Sequence, residues 1–454
     1  MKRDSLIDTY LQNYSAGEKW KLTANDTENI SQVVVIPAYA EKEMLFHTLA
    51  SLAQNPPASL EYSLILCVIN NKDDSPREAK DNNLQTLEYL DALVRKTSLK
   101  KFSADKELHP LLTGVSGAGM KLGYIDAASV GCEMPRNTAG VGMARKIGMD
   151  MALRLLRNSS ASHPLILSLD ADTLVQNNYL AAVKNYFKRG VKTAIVAYEH
   201  QMPSDEAQRA AICCYEIFLR YWVLGLTYAK SPWAFHSIGS TIITSTEAYL
   251  DVRGMNRRAA GEDFYFLSKL AKTGKIHYIR DTCVYPSARS SSRVAFGTGK
   301  RIQRFLAGHS AGRHREEYCL YDPRIFEVLA GWLQLMKSPF IRSEDEILTK
   351  ARRIHPRLRT FLEDCGFPAI WTKICRNVKD EKTLARQYHD WFDGFKTLKL
   401  INYFTAEVYP QINMFEALGR ILSMSGKPMK FNADGEIPTL SEQFKILQYL
   451  REIT

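Results

Sequence analysis

The sequence predicts an α/β protein: a mixed sheet flanked by helices, followed by a mostly helical carboxy-terminal region. Three observations carry this. From residue 32 onward short apolar runs alternate with amphipathic stretches of helical period. The runs end in turn-rich or acidic segments. Past about residue 286 the composition turns to Ser, Arg and Gly and then to helical periodicity alone. With 454 residues, 45% hydrophobic and 24% charged, the chain is long enough for two or three cores, and disordered and fibrous classes are excluded.

The elements follow in order. Val33-Val34-Val35-Ile36 is the first strand, expected to stop at Pro37. Leu45, Leu49 and Leu52 share one helical face, and that helix ends before Pro56-Pro57. A second strand over 62–69 runs into Asn70-Asn71-Lys72-Asp73-Asp74-Ser75-Pro76, a turn-rich loop, and Leu84, Leu87, Leu90 and Val94 mark the apolar face of the next helix. Gly114, Gly117, Gly119 and Gly123 break any period over 97–135, which reads as loop around a short strand near 122–126. Ala144, Ile147, Met151 and Leu155 predict a helix over 141–156, entered through Gly140 and Gly142. Leu165-Ile-Leu-Ser-Leu169 is a strand. A helix near 178–188, a strand over 191–198, a strand over 240–244, a helix opened by Gly261-Glu262-Asp263 and closed by Gly274, and a strand over 276–279 complete the layered part.

The organisation is therefore an amino-terminal extension over 1–29, an α/β domain over 30–295 and a helical region over 296–454. The apolar stretch 210–229 has the length of a membrane span, but Glu216 and Arg220 stand at i,i+4 within it, and a core helix accommodates a charge pair better than a bilayer does. No apolar segment of signal-peptide length follows Met1, so the chain is read as cytoplasmic. The eight cysteines lack any Cys-x-x-Cys pair and are read as reduced thiols. Sixty Lys and Arg against 49 Asp and Glu give a net charge of +11, which suits an anionic partner such as a nucleotide or a phospholipid surface on the inner face of a membrane. No dense basic block interleaved with aromatics supports nucleic acid.

The chemistry centres on Asp170 and Asp172. Residues two apart on a strand point the same way, so two carboxylates delivered there can share one hard cation that also touches phosphate oxygens. Solvated strand-end aspartates are the plain alternative. In an open α/β sheet ligands sit at the carboxyl ends of strands, where the unusual segments of this chain also fall.

Four of those segments, Val-Val-Ile-Pro-Ala-Tyr-Ala-Glu at 34–41, Gly-Val-Gly-Met-Ala-Arg-Lys-Ile-Gly at 140–148, Leu-Asp-Ala-Asp at 169–172 and Gly-Glu-Asp-Phe at 261–264, resemble in order the family 2 glycosyltransferases of the Rossmann-like GT-A fold. The resemblance covers about residues 30–295. It implies that Pro37, Ala38, Tyr39 and Glu41 hold the nucleotide of a sugar donor of UDP or GDP type. It also implies that Arg145 lies near the base or diphosphate, with Lys146 where the family usually has Asn. Where the family carries an Asp after the second strand this chain has Asn70, whose amide can contact the base or simply form a turn. Asp170 and Asp172 are implied to bind Mn²⁺ or Mg²⁺ bridging the diphosphate. Asp263 is implied to be the general base and Glu262 its orienting partner, with inversion at the anomeric carbon. Glu41 and Asp263 also suit the first turn of a helix, and Arg145 a solvated helix flank. Arg289, Arg293, Lys300 and Arg301, in the Ser/Arg/Gly segment 287–301, fit either a basic flap closing on the diphosphate or a disordered basic surface loop. The acceptor, whether glycan, lipid-linked or small molecule, is not legible. The helical region suits an acceptor side or a homo-oligomer contact. Alternatives are a nucleotidyltransferase of related fold and a non-catalytic basic module docking on membrane or nucleic acid.

Overall fold

The computed structural model describes residues 2–258, 261–290, 297–337, 343–378, 380–429, 431 and 436–454. The chain forms two compact units, Met1–Gln201 with Ser237–Ser287, and Met202–His236 with Ala288–Thr454.

The first unit is built on nine strands: β1 Leu22–Ala24, β2 Gln32–Ala38, β3 Ser63–Asn70, β4 Lys121–Ala127, β5 Leu165–Ser168, β6 Leu174–Val175, β7 Thr193–Tyr198, β8 Ile242–Ser245 and β9 His277–Tyr285. Their order is β1-β4-β3-β2-β5-β8-β7-β9-β6. β2 is parallel to both β3 and β5, and β3 to β4. β8 runs antiparallel to β5 and β7, which makes the sheet mixed. This is the GT-A-like α/β architecture that the motifs implied. The chain leaves β2 toward β3 and later returns on its other side as β5, so the strand order reverses beside β2. A crevice opens at the carboxyl ends of the strands at such a point.

All seven residues of β2 and all eight of β3 are buried, as expected for central parallel strands covered on both faces. β2 does not stop at Pro37 but runs through it to Ala38. The Val35 carbonyl accepts from Leu169 N–H on the β5 side at 3.1 Å, so the missing Pro37 N–H faces that side too, beyond the last residue of β5. The helix Val141–Leu155 lies across β2 and β3. A side chain at Gly148 would overlap the Val35 and Val68 methyls, so only glycine allows this approach.

Three further expectations are corrected. The stretch read as loop contains the helix Leu108–Gly117, because Leu108, Leu112 and Val115 bury one face. The helix Arg77–Val94 does not bury Leu84, which is 49% exposed; it turns Asn83, Thr86 and Leu90 inward instead. Residues 1–29 are no mere extension. The helix Lys2–Asn13 places the Tyr10 hydroxyl 2.6 Å from Asp150, which also accepts from Tyr249 at 2.7 Å and pairs with Lys146 at 3.3 Å.

The second unit takes in residues 202–236, which the sequence reading placed in the α/β domain. Its helix Glu206–Tyr228 is long and apolar enough to cross a membrane, yet 67% of its most apolar window is buried. It packs against the helices Thr298–Ser310 and Leu440–Ile453. The expected pair forms, Arg220 to Glu216 at 2.9 Å, and Arg451 also donates to Glu216, at 2.8 Å, so the buried carboxylate is shared between two guanidinium groups. Lys300 and Arg301 stand in the helix Thr298–Ser310, where Arg301 lies over the Phe218 ring at 5.4 Å. They belong to a packed helix and not to a flap. Arg293 lies outside the described residues.

Candidate active site

The β5 strand ends at Ser168, so Asp170 and Asp172 do not share a strand face as the sequence suggested. They sit in a turn closed by the Thr173 N–H donating to the Asp170 carbonyl at 3.1 Å. Two further bonds fix this turn: Thr48, from the helix Lys42–Ala53, donates its hydroxyl to the Ala171 carbonyl at 2.8 Å, and Gln201 Nε2 donates to the Asp172 carbonyl at 3.1 Å. The backbone around the two aspartates is therefore held from two sides.

Arg145 is the hub. It lies in the first turns of Val141–Leu155, buried, and one guanidinium nitrogen donates to Asp170 Oδ1 while the other donates to Glu262 Oε1. Glycines make the room. A side chain at Gly239 would occupy the guanidinium position, and one at Gly142 would overlap the Arg258 carbonyl and crowd Glu262 Cβ at 2.9 Å. Glu262 and Asp263 open the helix Glu262–Thr273, following Gly261 at φ 68°, a left-handed turn that starts the helix where Glu262 meets Arg145.

The electrostatics are those of three carboxylates around one guanidinium. Burial works against the Arg145 charge, but Asp170, Glu262 and Asp263 outweigh it and hold its pKa above the ordinary value. Burial pushes Glu262 up to about 7; Arg145 opposes this, while Asp263 and Asp170 add to it as like charges. Burial likewise raises Asp263, opposed by Arg145 and by the Phe264 N–H that donates to its Oδ1 at 2.7 Å. One cation thus does not neutralise the cluster, and Glu262 titrates near neutrality.

The remaining predicted residues lie on neighbouring elements. Pro37 and Ala38 are buried within β2, and Tyr39 and Glu41 are half-buried in the connection to Lys42–Ala53. Asn70 is buried at the end of β3, its carbonyl accepting from Asn83 at 3.0 Å. Lys146 points away, into the Asp150 and Tyr10 network, donating to the Tyr10 hydroxyl at 2.8 Å.

Sequence reasoning missed Asn83. Its amide oxygen accepts from the Ala40 N–H at 2.9 Å and its nitrogen donates to Asn70 O and, at 2.7 Å, to Asn71 Oδ1. It ties the β2 and β3 loops together. The available signal was the Asn82-Asn83 pair inside an otherwise helical stretch, where asparagine is a poor choice unless its amide has work to do.

Asp170 and Asp172 offer oxygen donors of the kind hard cations prefer. Among the described residues no group of three His, Cys, Asp or Glu side chains comes together to cage a metal. The donor set fits Mg²⁺ or Mn²⁺ in the way such ions usually sit, with few protein ligands and the rest of the shell made of phosphate oxygens and water.

Fold and site together define an α/β protein with an acidic centre at the carboxyl ends of its parallel strands. No family model and no curated relative matches the chain. Solved structures do. Staphylococcus aureus TarS 1–349 is 11% identical over 80% of this chain and 91% of its own, with a TM-score of 0.34, and the same protein in complex with UDP-GlcNAc gives 13%, 80%, 91% and 0.36. The mannosyltransferase PcManGT from Pyrobaculum calidifontis, in complex with GDP-Man and Mn²⁺, is 15% identical over 86% of this chain and 96% of its own, with a TM-score of 0.34. These are similarities at low identity, and what each of those proteins binds is a property of that protein.

Proposed function

We propose that the chain is a glycosyltransferase that moves a sugar from a nucleotide-diphosphate donor, of UDP or GDP type, to an acceptor hydroxyl. The observation that supports this best is the pairing of Asp170 and Glu262 with Arg145, with the Asp263 charge close by, beside the Asp172 turn, where the strand order reverses.

Asp263 acts as the general base. Burial raises its pKa toward the working pH, which makes it a better proton acceptor for the attacking hydroxyl. Glu262 and Arg145 position it. Arg145 also links Glu262, the neighbour of the base, to Asp170, so the donor side and the acceptor side of the site share one ion-paired cluster. A base facing the anomeric carbon opposite the leaving group gives inversion. Asp172 with Asp170 would hold Mn²⁺ or Mg²⁺, which when bound supplies positive charge to the departing nucleoside diphosphate. Tyr39, Glu41 and Asn70 line the nucleotide side at the ends of β2 and β3. The protein works in the cytoplasm, and its positive charge favours contact with anionic surfaces.

The test is nucleoside diphosphate release from a panel of UDP- and GDP-sugars with Mn²⁺, Mg²⁺ or EDTA. One donor should be hydrolysed slowly in metal and not in EDTA. If no donor is bound or cleaved under any condition, the reading fails and a non-catalytic binding module replaces it.

A further inference from the structure

The helix Val141–Leu155 carries Arg145 near its start and Asp150 further along, both buried. Asp150 is where the amino-terminal segment meets this helix. One of its oxygens accepts from the hydroxyls of Tyr10 at 2.6 Å and Tyr249 at 2.7 Å, and the other accepts from the Ala16 N–H at 2.7 Å and pairs with Lys146 at 3.3 Å. Lys146 donates in turn to the Tyr10 hydroxyl at 2.8 Å. A buried carboxylate held by four donors is costly to disturb, because each donor removed leaves its charge less compensated. Burial and then the Asp150 charge keep the Tyr10 hydroxyl protonated, so it retains the proton it donates.

The same tyrosines hold the segment that leads to the base. A side chain at Gly254, where φ is 68°, would strike the Tyr10 hydroxyl and crowd the Tyr249 ring, so the backbone there lies directly on both. The helix Glu262–Thr273 is fastened to that junction twice. Its Lys269 donates to the Val252 carbonyl at 2.9 Å and the Gly254 carbonyl at 2.5 Å, and its Phe266 ring meets Tyr249 edge to face at 5.9 Å. Further along, Arg257 donates to the Ser15 carbonyl at 2.6 Å. Across from these contacts, Gly142 lies against the Asn256 and Arg258 carbonyls. Residues 252–258 are thus held between the amino-terminal segment and the helix that bears Arg145, and the chain then continues to Glu262 and Asp263.

We propose that Tyr10 is a positioning residue for the transfer reaction: through Asp150 and Gly254 it fixes the helix bearing Arg145 against the segment and helix that bring Glu262 and Asp263. It touches no substrate and acts through these neighbours. This rests on the transferase reading above and deepens it. A displacement of about 1 Å at a reacting group costs on the order of a hundredfold in rate, so the loss of one anchoring bond is enough to register in kcat.

The experiment compares Tyr10→Phe, which keeps the ring and removes the hydroxyl, with Tyr124→Phe, which removes a tyrosine hydroxyl that donates to Asp91 at 2.8 Å on the β4 side of the sheet. Donor affinity, kcat and hydrogen exchange over residues 252–258 are measured in both and in the wild-type chain. Tyr10→Phe should lower kcat about tenfold, the worth of a hydrogen bond to a buried charge, and leave donor affinity within about twofold. Exchange over 252–258 should rise at least about threefold. Tyr124→Phe should change none of the three. Arg257→Met, which frees the Ser15 anchor at the surface, should act in the same direction by about threefold in kcat. The proposal is overturned if kcat or exchange is unchanged in Tyr10→Phe, if Tyr124→Phe loses as much, or if donor affinity falls in step with kcat. Should the wild-type chain turn over no donor, the transferase reading fails, and exchange over 252–258 alone decides whether Tyr10 holds that segment.

Discussion

At the scale of single residues, the site is governed by a charge imbalance. Glu262 has an ordinary pKa of 4.5 when unfolded and about 7 in the fold, so between those values the unfolded chain has released a proton that the native chain keeps. Stability from this group is present at low pH and lost as pH rises from 4.5 to about 7, by an amount on the order of 3 kcal/mol before relaxation. Activity should run the other way, rising as the Glu262 and Asp263 pair gives up its proton, with an acidic limb in kcat/KM near pH 7. Glu262→Gln removes a like charge beside Asp263 and should move that limb to lower pH; an unmoved limb would show that another group sets it. Arg145→Met leaves three carboxylates without their cation and should cost about 3–5 kcal/mol at neutral pH. The loss should shrink as pH falls and the carboxyls protonate, which urea unfolding at two pH values measures. Asp170 and Asp172 stand out in the sequence as carboxylates at the end of an apolar run, whereas Glu262 and Asp263 are singled out by the resemblance of Gly261–Phe264 to a family motif. What was not legible is that Arg145 joins Asp170 to Glu262, since no local pattern encodes a contact between residues 145 and 262.

At the scale of elements, glycine decides the approach of helix to sheet. Gly140 and Gly142 are visible in the sequence as a helix entry, but the reason for Gly148, inside the helix, is tertiary. Gly148 sits where a methyl group would meet Val35 and, at 2.9 Å, Val68. Gly148→Ala should push the helix Val141–Leu155 off β2 and β3, costing about 1–3 kcal/mol in denaturant unfolding and reducing turnover by displacing Arg145. A substitution without cost would mean that this helix has slack. The strands β2, β3 and β5 were readable because fully buried parallel strands are continuous apolar runs. The helix Leu108–Gly117 and the inward Asn83 were not. Four glycines masked the period of the first region, and in Arg77–Val94 exposed Leu84 and half-buried Leu87 imitated the buried face better than the true one did.

At the scale of the whole molecule, the chain passes between its two units three times, after residues 201, 236 and 287. A boundary near 295 is what the change in composition suggests, and it would sever the second unit from its own central helix. Residues 1–295 expressed alone should therefore aggregate. Ile212, Ile217, Tyr221 and Leu224 would lose the helices that bury them, and Glu216 would lose Arg451. A monomeric, cooperatively melting 1–295 fragment would contradict this division. The central claim is that Asp263 takes the acceptor proton in a site that binds a nucleotide sugar through other residues. It is tested most directly by measuring donor binding and turnover side by side in the wild-type chain and in Asp263→Asn. Donor affinity in Asp263→Asn should stay within about twofold while turnover falls by at least about a hundredfold, the usual worth of a general base. Turnover that survives in Asp263→Asn would contradict that claim.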